Sequence, residues 1–134
     1  MNQQLFEQAR ELAAKTDFVI VATASDLGQP HIASAGGATF RDGGTIDIIE
    51  WFCPGTVQNL TVNKRLAAVV WDRAADVGFQ LLGEVEGIEA YDVMDGYDPA
   101  AEPVPAMPQV QRRVVVRVTQ VLRFAHGPHS DLTE

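Results

Sequence analysis

The sequence is poor in cysteine, in basic residues and in long apolar stretches, and each shortage removes a class of protein. Cys53 is its one cysteine, so an intramolecular disulfide and every multi-cysteine zinc or cluster motif are excluded. Ten Lys+Arg stand against eighteen Asp+Glu, a formal net charge of −8. Nucleic acids and anionic membrane surfaces attract basic faces, so this balance argues against both as partners. Apolar runs such as residues 18–22 fall far short of the ~20 residues that a membrane span needs. The first ten residues are polar and amphipathic, without the apolar core of a secretory signal. Phosphate-loop glycines are missing in usable form: Gly36-Gly37 and Gly43-Gly44 precede no Lys-Ser/Thr, and no G-x-G-x-x-G occurs. No G-x-S-x-G elbow surrounds Ser25, Ser34 or Ser130, and no catalytic acid, base or nucleophile is assigned. What remains is 134 residues, 46% of them hydrophobic, enough for one domain with its own core. A cytoplasmic location is the expectation.

The hydrophobic pattern changes period along the chain. Leu5, Phe6, Ala9, Leu12 and Ala13 form one stripe of an amphipathic helix over residues 2–15. Residues 18–23 are apolar and β-branched, as in a strand buried on both faces. Asp26-Leu27-Gly28-Gln29-Pro30 is turn chemistry, and residues 31–40 read as the returning strand of a hairpin. Gly36-Gly37 inside that strand weakens it or admits a close neighbour. A second turn at residues 41–44 leads to a strand over 45–52, in which Ile46 and Ile48 alternate with Thr45 and Asp47. After Pro54-Gly55, residues 56–63 suit a two-turn helix with Val57 and Leu60 inward. Strands follow over 66–71 and 78–89. Residues 92–108 hold four of the seven prolines and read as a long connection with one helical turn at Val93-Met94. Residues 110–124 form a long closing strand, with Arg113, Val115, Arg117 and Thr119 on one side and Val114, Val116 and Val118 on the other. The fold expected is mainly β with two small helices: a six-stranded antiparallel barrel over residues 1–125, with a polar tail over 126–134.

Chemistry concentrates where the third strand meets the short helix. Amide groups at a helix start attract anions, phosphate above all, and the Thr56 hydroxyl adds a donor there. The same threonine also suits a plain N-cap. Trp51 reads either as a stacking partner for a planar ring or as core. Cys53, His31, His126, His129 and Asp131 are competent metal ligands, but a buried apolar role for Cys53 and a solvated tail are the preferred account of them, and no metal is assigned.

In order and spacing, several segments together resemble the pyridoxamine 5′-phosphate oxidase-like superfamily of FMN-binding split barrels. They are the N-terminal helix, Phe18-Val-Ile-Val-Ala-Thr, Asp26-x-Gly28-Gln-Pro30-His31, Asp42-Gly-Gly-Thr-Ile46, Thr56-x-x-Asn59-Leu60, Asn63-x-Arg65 and Gly78-Phe-Gln80-Leu-Leu-Gly83. The resemblance covers residues 4–124. It implies a homodimer with FMN between subunits, acting as an oxidoreductase or electron carrier on a small-molecule substrate or redox partner. By position it implies flavin contacts from Ser34, Ala35 and Gly36, from the backbone of Glu50 and Trp51, and from Thr56 and Asn59 at the phosphate. Many relatives place Lys or Arg just before the helix threonine, whereas this chain has Gly55. Arg41, Lys64, Arg65, Arg112 and Arg113 are the candidate replacements. The alternative that Gly55 supports is a non-enzymatic ligand-binding module of the same fold. Nothing corresponds to the vitamin B6 substrate residues of the true oxidases, so pyridoxamine 5′-phosphate oxidation is not expected.

Overall fold

A computed structural model describes residues 1–51, 53–93 and 110–128. Asn2 caps the first helix, α1 (Gln3–Ala13), its side chain accepting from the Leu5 amide at 3.1 Å. Leu5, Phe6 and Ala9 of the expected stripe are buried, and Leu12 and Ala13 pack at its margin. The Phe6 ring meets Phe40 at a centroid distance of 5.1 Å. On the polar side Arg10 donates to Asp42 (3.1 Å) and to the Phe40 carbonyl (2.8 Å). The Asp42 bond is the main cause that raises the Arg10 pKa above its ordinary value.

Seven strands follow: β1 (Val19–Ala24), β2 (Pro30–Ala35), β3 (Gly37–Arg41), β4 (Thr45–Trp51), then, after helix α2 (Pro54–Val62), β5 (Arg65–Asp72), β6 (Val77–Val93) and β7 (Val110–Arg123). They form one antiparallel sheet in the order β2-β1-β5-β6-β7-β4-β3. The split barrel is thus present with seven strands instead of six, and Gly36 is the reason. The segment expected as one strand bends there. Its first half pairs with β1 and its second half with β4. The two edges of the sheet are therefore consecutive in the chain, and the sheet curls until they meet at that bend. Register shifts in β6 at Leu82/Gly83, Val85/Gly87 and Ala90/Asp92 supply further curvature.

Alternation decides what lies inside. Val114, Val116 and Val118 are buried, whereas Arg117 and Thr119 are exposed and Arg113 and Val115 half-buried. Arg113 pairs with Glu89, and Arg117 with Glu84 and Glu86, across the outer face of β6 and β7. Ile46, Ile48, Val21, Ala68, Val70 and Leu81 complete the interior. Asp47 departs from the expected alternation: it is 3% exposed and pairs with Arg41. Its Oδ1 has no hydrogen-bond partner among the described residues.

The β5–β6 turn ties down the chain after β7. Asp76, at φ +52°, accepts from Trp71 Nε1 (3.3 Å) and from the His126 amide (2.9 and 3.0 Å). Phe124 packs edge-on against Trp71, which is half-buried and not fully in the core. The expected helical turn at Val93-Met94 is not formed at Val93, which is the last residue of β6. Residues 94–109 and 129–134 lie outside the described residues. Among the described residues, no helix is long and apolar enough to cross a membrane.

Candidate functional site

The site is built where α2 lies on the β1–β2 hairpin. Thr23 of β1 and His31 of β2 are directly opposite cross-strand partners. Thr56 and Asn59, three residues apart, share one helix face. That face meets the hairpin at two points. Thr56 Oγ1 lies 3.3 Å from His31 Nδ1, and Asn59 Nδ2 donates to Thr23 Oγ1 at 3.1 Å. Leu60 anchors the same helix in the core. Thr56 is completely buried. Its hydroxyl and the Asn59 amide thus secure the helix in place.

The N-terminus of α2 is left open. Cys53 occupies the N-cap position without a side-chain capping bond, and Pro54 has no N–H to offer. Gly55 therefore supplies the first exposed amide donor of the helix, uncapped by a side chain, while Thr56 behind it is buried. Thr56 is not the N-cap that its type allows. Gly55 has no side chain to cover the spot, and a Cβ there would meet only the His31 ring, with Nε2 at 3.7 Å. His31 itself is exposed. Cys53 Sγ lies 3.9 Å from the Ser34 carbonyl oxygen, to which it donates. The end of β2 and the start of α2 are thereby adjacent.

Of the expected flavin contacts, Ser34, Ala35 and Gly36 sit at this junction. Ser34 is exposed, Ala35 is buried and Gly36 occupies the bend. Glu50 and Trp51 end β4 two residues before the helix cap. Their side chains lie outside what the structure describes. His31, which the flavin assignment from sequence leaves out, is brought to the same helix face. Its signal was its place opposite Thr23 in the hairpin, because Thr23 and α2 were both already legible.

The candidate phosphate partners separate clearly. Arg41 is committed to Asp47, and Arg113 to Glu89. Lys64 and Arg65 follow Asn63, the C-cap of α2, at the opposite end of the helix from Gly55. Arg112 is paired by register with Trp51 at the end of β4. A cleft of about 540 Å³ also belongs to that far end of α2, with Ala22, Ala67 and Leu82 as its apolar lining and Asn63, Arg65 and Glu84 as its polar one. The Ser34–Gly36 junction forms no part of it. Among the described residues, no three His, Cys, Asp or Glu side chains converge on a point where a metal ion could be held. His129 and Asp131 lie outside the described residues.

Residues 5–123 match the family model of pyridoxamine 5′-phosphate oxidase. The chain belongs to the pyridoxamine 5′-phosphate oxidase family. Solved structures carry the same fold at low identity. An FMN-binding protein from Syntrophomonas wolfei is 18% identical over 92% of this chain and 88% of its own, with a TM-score of 0.69. HupZ from Group A Streptococcus is 20% identical over 90% and 94%, with a TM-score of 0.65. HutZ, the heme storage protein of Vibrio cholerae, is 10% identical over 87% and 92%, with a TM-score of 0.58. No curated protein sequence matches the chain. For this member of the pyridoxamine 5′-phosphate oxidase family, the structural neighbours establish the split barrel, and its own donor atoms must carry the argument about ligand.

Proposed function

We propose that the chain is a flavoprotein that binds FMN and passes electrons to or from a small-molecule substrate or redox partner. The observation that carries this reading is the uncapped start of α2 beside His31 and Ser34. The exposed Gly55 amide and the exposed His31 imidazole beside it form a donor pair suited to a phosphate monoester. The family and the Syntrophomonas wolfei neighbour support flavin as the bearer of that phosphate. Helix α2 holds the anionic end, and the turn of chain through Ser34–Gly36 gives a planar ring a close approach to backbone. When bound, FMN supplies the redox chemistry, and the protein supplies orientation and the local field. The junction faces outward, with Ile32 beside it 70% exposed, so we place the cofactor between two copies of the chain. Catalytic acid–base residues are not assigned.

A second reading has one observation in its favour. Gly55 leaves the phosphate without the lysine or arginine of relatives, as expected of a binding module that has no redox role. Melting curves with added FMN separate the two readings. Binding to the folded state alone stabilises it by about 2.7 kcal/mol at a free ligand concentration one hundred times Kd. FMN is expected to raise Tm by several degrees, and freshly purified protein is expected to show flavin absorbance. An unchanged Tm in excess FMN, with a haem-type spectrum or none, overturns the flavoprotein reading.

A further inference from the structure

The missing lysine leaves a question of charge. An FMN phosphate is close to doubly negative at neutral pH, and helix amides supply only partial charges. Of the basic side chains proposed from sequence, Arg41 and Arg113 are engaged in ion pairs, Lys64 and Arg65 stand at the other end of α2, and Arg112 lies opposite Trp51 at the end of β4. His31 is the cationisable group that the fold places directly against Gly55. Its Nδ1 is occupied by the buried Thr56 hydroxyl, which fixes the ring. Its Nε2 is the atom that a Cβ on Gly55 would meet first, at 3.7 Å. The absent side chain at residue 55 and the imidazole beside it therefore occupy one spot, next to the first exposed amide of the helix.

We propose that His31 is the phosphate-facing side-chain donor of this chain, in the place of the lysine that Gly55 lacks, with Thr56 as its positioning residue. This inference rests on the FMN reading above. If Thr56 donates to Nδ1, the neutral ring presents Nε2–H to the phosphate. If Nδ1 donates to Thr56, protonation of Nε2 completes an imidazolium. In both cases Thr56 leaves Nε2 for the ligand. The groups beside the ring are the uncharged hydroxyls of its cross-strand partner Thr23 on β1 and of Thr56 on α2. The carboxylate of the β1–β2 turn, Asp26, lies beyond the Ala24–Pro30 pair. Among the described residues, no carboxylate forms an ion pair with His31.

The consequence is a grip on phosphate that depends on pH. Imidazole loses its charge between about pH 5 and pH 8, and a phosphate monoester gains its second charge near pH 6. Preference for FMN over riboflavin is therefore greatest around pH 6–7 and falls by about tenfold towards pH 8.5. The test compares FMN and riboflavin titrations of the wild-type chain, His31→Gln and His31→Lys, at pH 6.5 and 8.5. His31→Gln is expected to weaken FMN about tenfold at pH 6.5 and to spare riboflavin. Its preference for FMN should show less dependence on pH, and His31→Lys should restore tight binding at both pH values. In the wild-type chain, the His31 ring resonances in an NMR titration are expected to move with inorganic phosphate as well as with FMN. If FMN binds but His31→Gln leaves the FMN:riboflavin ratio and its pH profile unchanged, His31 has no such role and the flavin reading stands. If FMN does not bind and phosphate leaves the His31 resonances unmoved, both fall. If phosphate alone moves them, the anion site is upheld and its flavin is not.

Discussion

Replacing Gly55 with lysine is expected to tighten FMN about tenfold to a hundredfold and to leave riboflavin affinity almost unchanged. The figure is that of one charge-assisted hydrogen bond, about 1.5–3 kcal/mol, carried into an equilibrium constant. The backbone permits the change. Gly55 lies in the first turn of α2 with a negative φ, and a new Cβ finds only the His31 ring, at ordinary contact distance. A side chain here also reduces the freedom of the unfolded chain, so Tm without ligand should hold or rise slightly. Fluorescence titration with the two flavins reads the result. An equal gain for both flavins, or none for FMN, shows that the phosphate does not lie at this helix end.

Gly83→Ala is expected to destabilise the fold by about 2–4 kcal/mol, read as a shift of the urea midpoint with little change in slope. Gly83 stands where the β6–β7 register slips, between Leu66 on β5 and Val118 on β7. A Cβ there would lie 2.6 Å from the Arg117 carbonyl oxygen and 2.7 Å from Val116 Cγ1. The first obstacle is backbone in the middle of a strand, so relief requires β6 and β7 to part. Gly37→Ala is the matched control. A Cβ at Gly37 meets nothing within 4 Å and the backbone there has no positive φ, so the expected change is within about 0.5 kcal/mol. Equal stability of the two variants would contradict the close approach at the bulge.

What could be read from sequence follows from the distance over which each signal acts. The stripe Leu5-Phe6-Ala9 and the alternation Val114-Val116-Val118 repeat within a few residues, and both elements lie within two residues of their expected bounds. Helix α2 starts two residues before its expected bound because Pro54, a breaker inside helices, is at home in the first turn. The Gly36 bend was visible as a weak point but not as a corner, since its meaning depends on β4 being available to pair with residues 37–41. Asp47 looked like a solvent-facing member of an alternating strand, and its burial depends on tertiary surroundings that no local pattern encodes. The site was half legible for the same reason. Thr56 and Asn59 were found from the helix start, but their hydroxyl and amide turn inward to the hairpin. His31 joins them across 25 positions of sequence, a meeting that only the pairing of β1 with β2 and the seating of α2 create.

The central claim is that the start of α2 grips the phosphate of a flavin. The most direct measurement is the ratio of FMN to riboflavin dissociation constants for the purified wild-type chain at pH 6.5, since the two ligands share the ring and differ by that phosphate. The account predicts FMN tighter by at least about tenfold. Equal affinities, or no binding of either flavin, would contradict it.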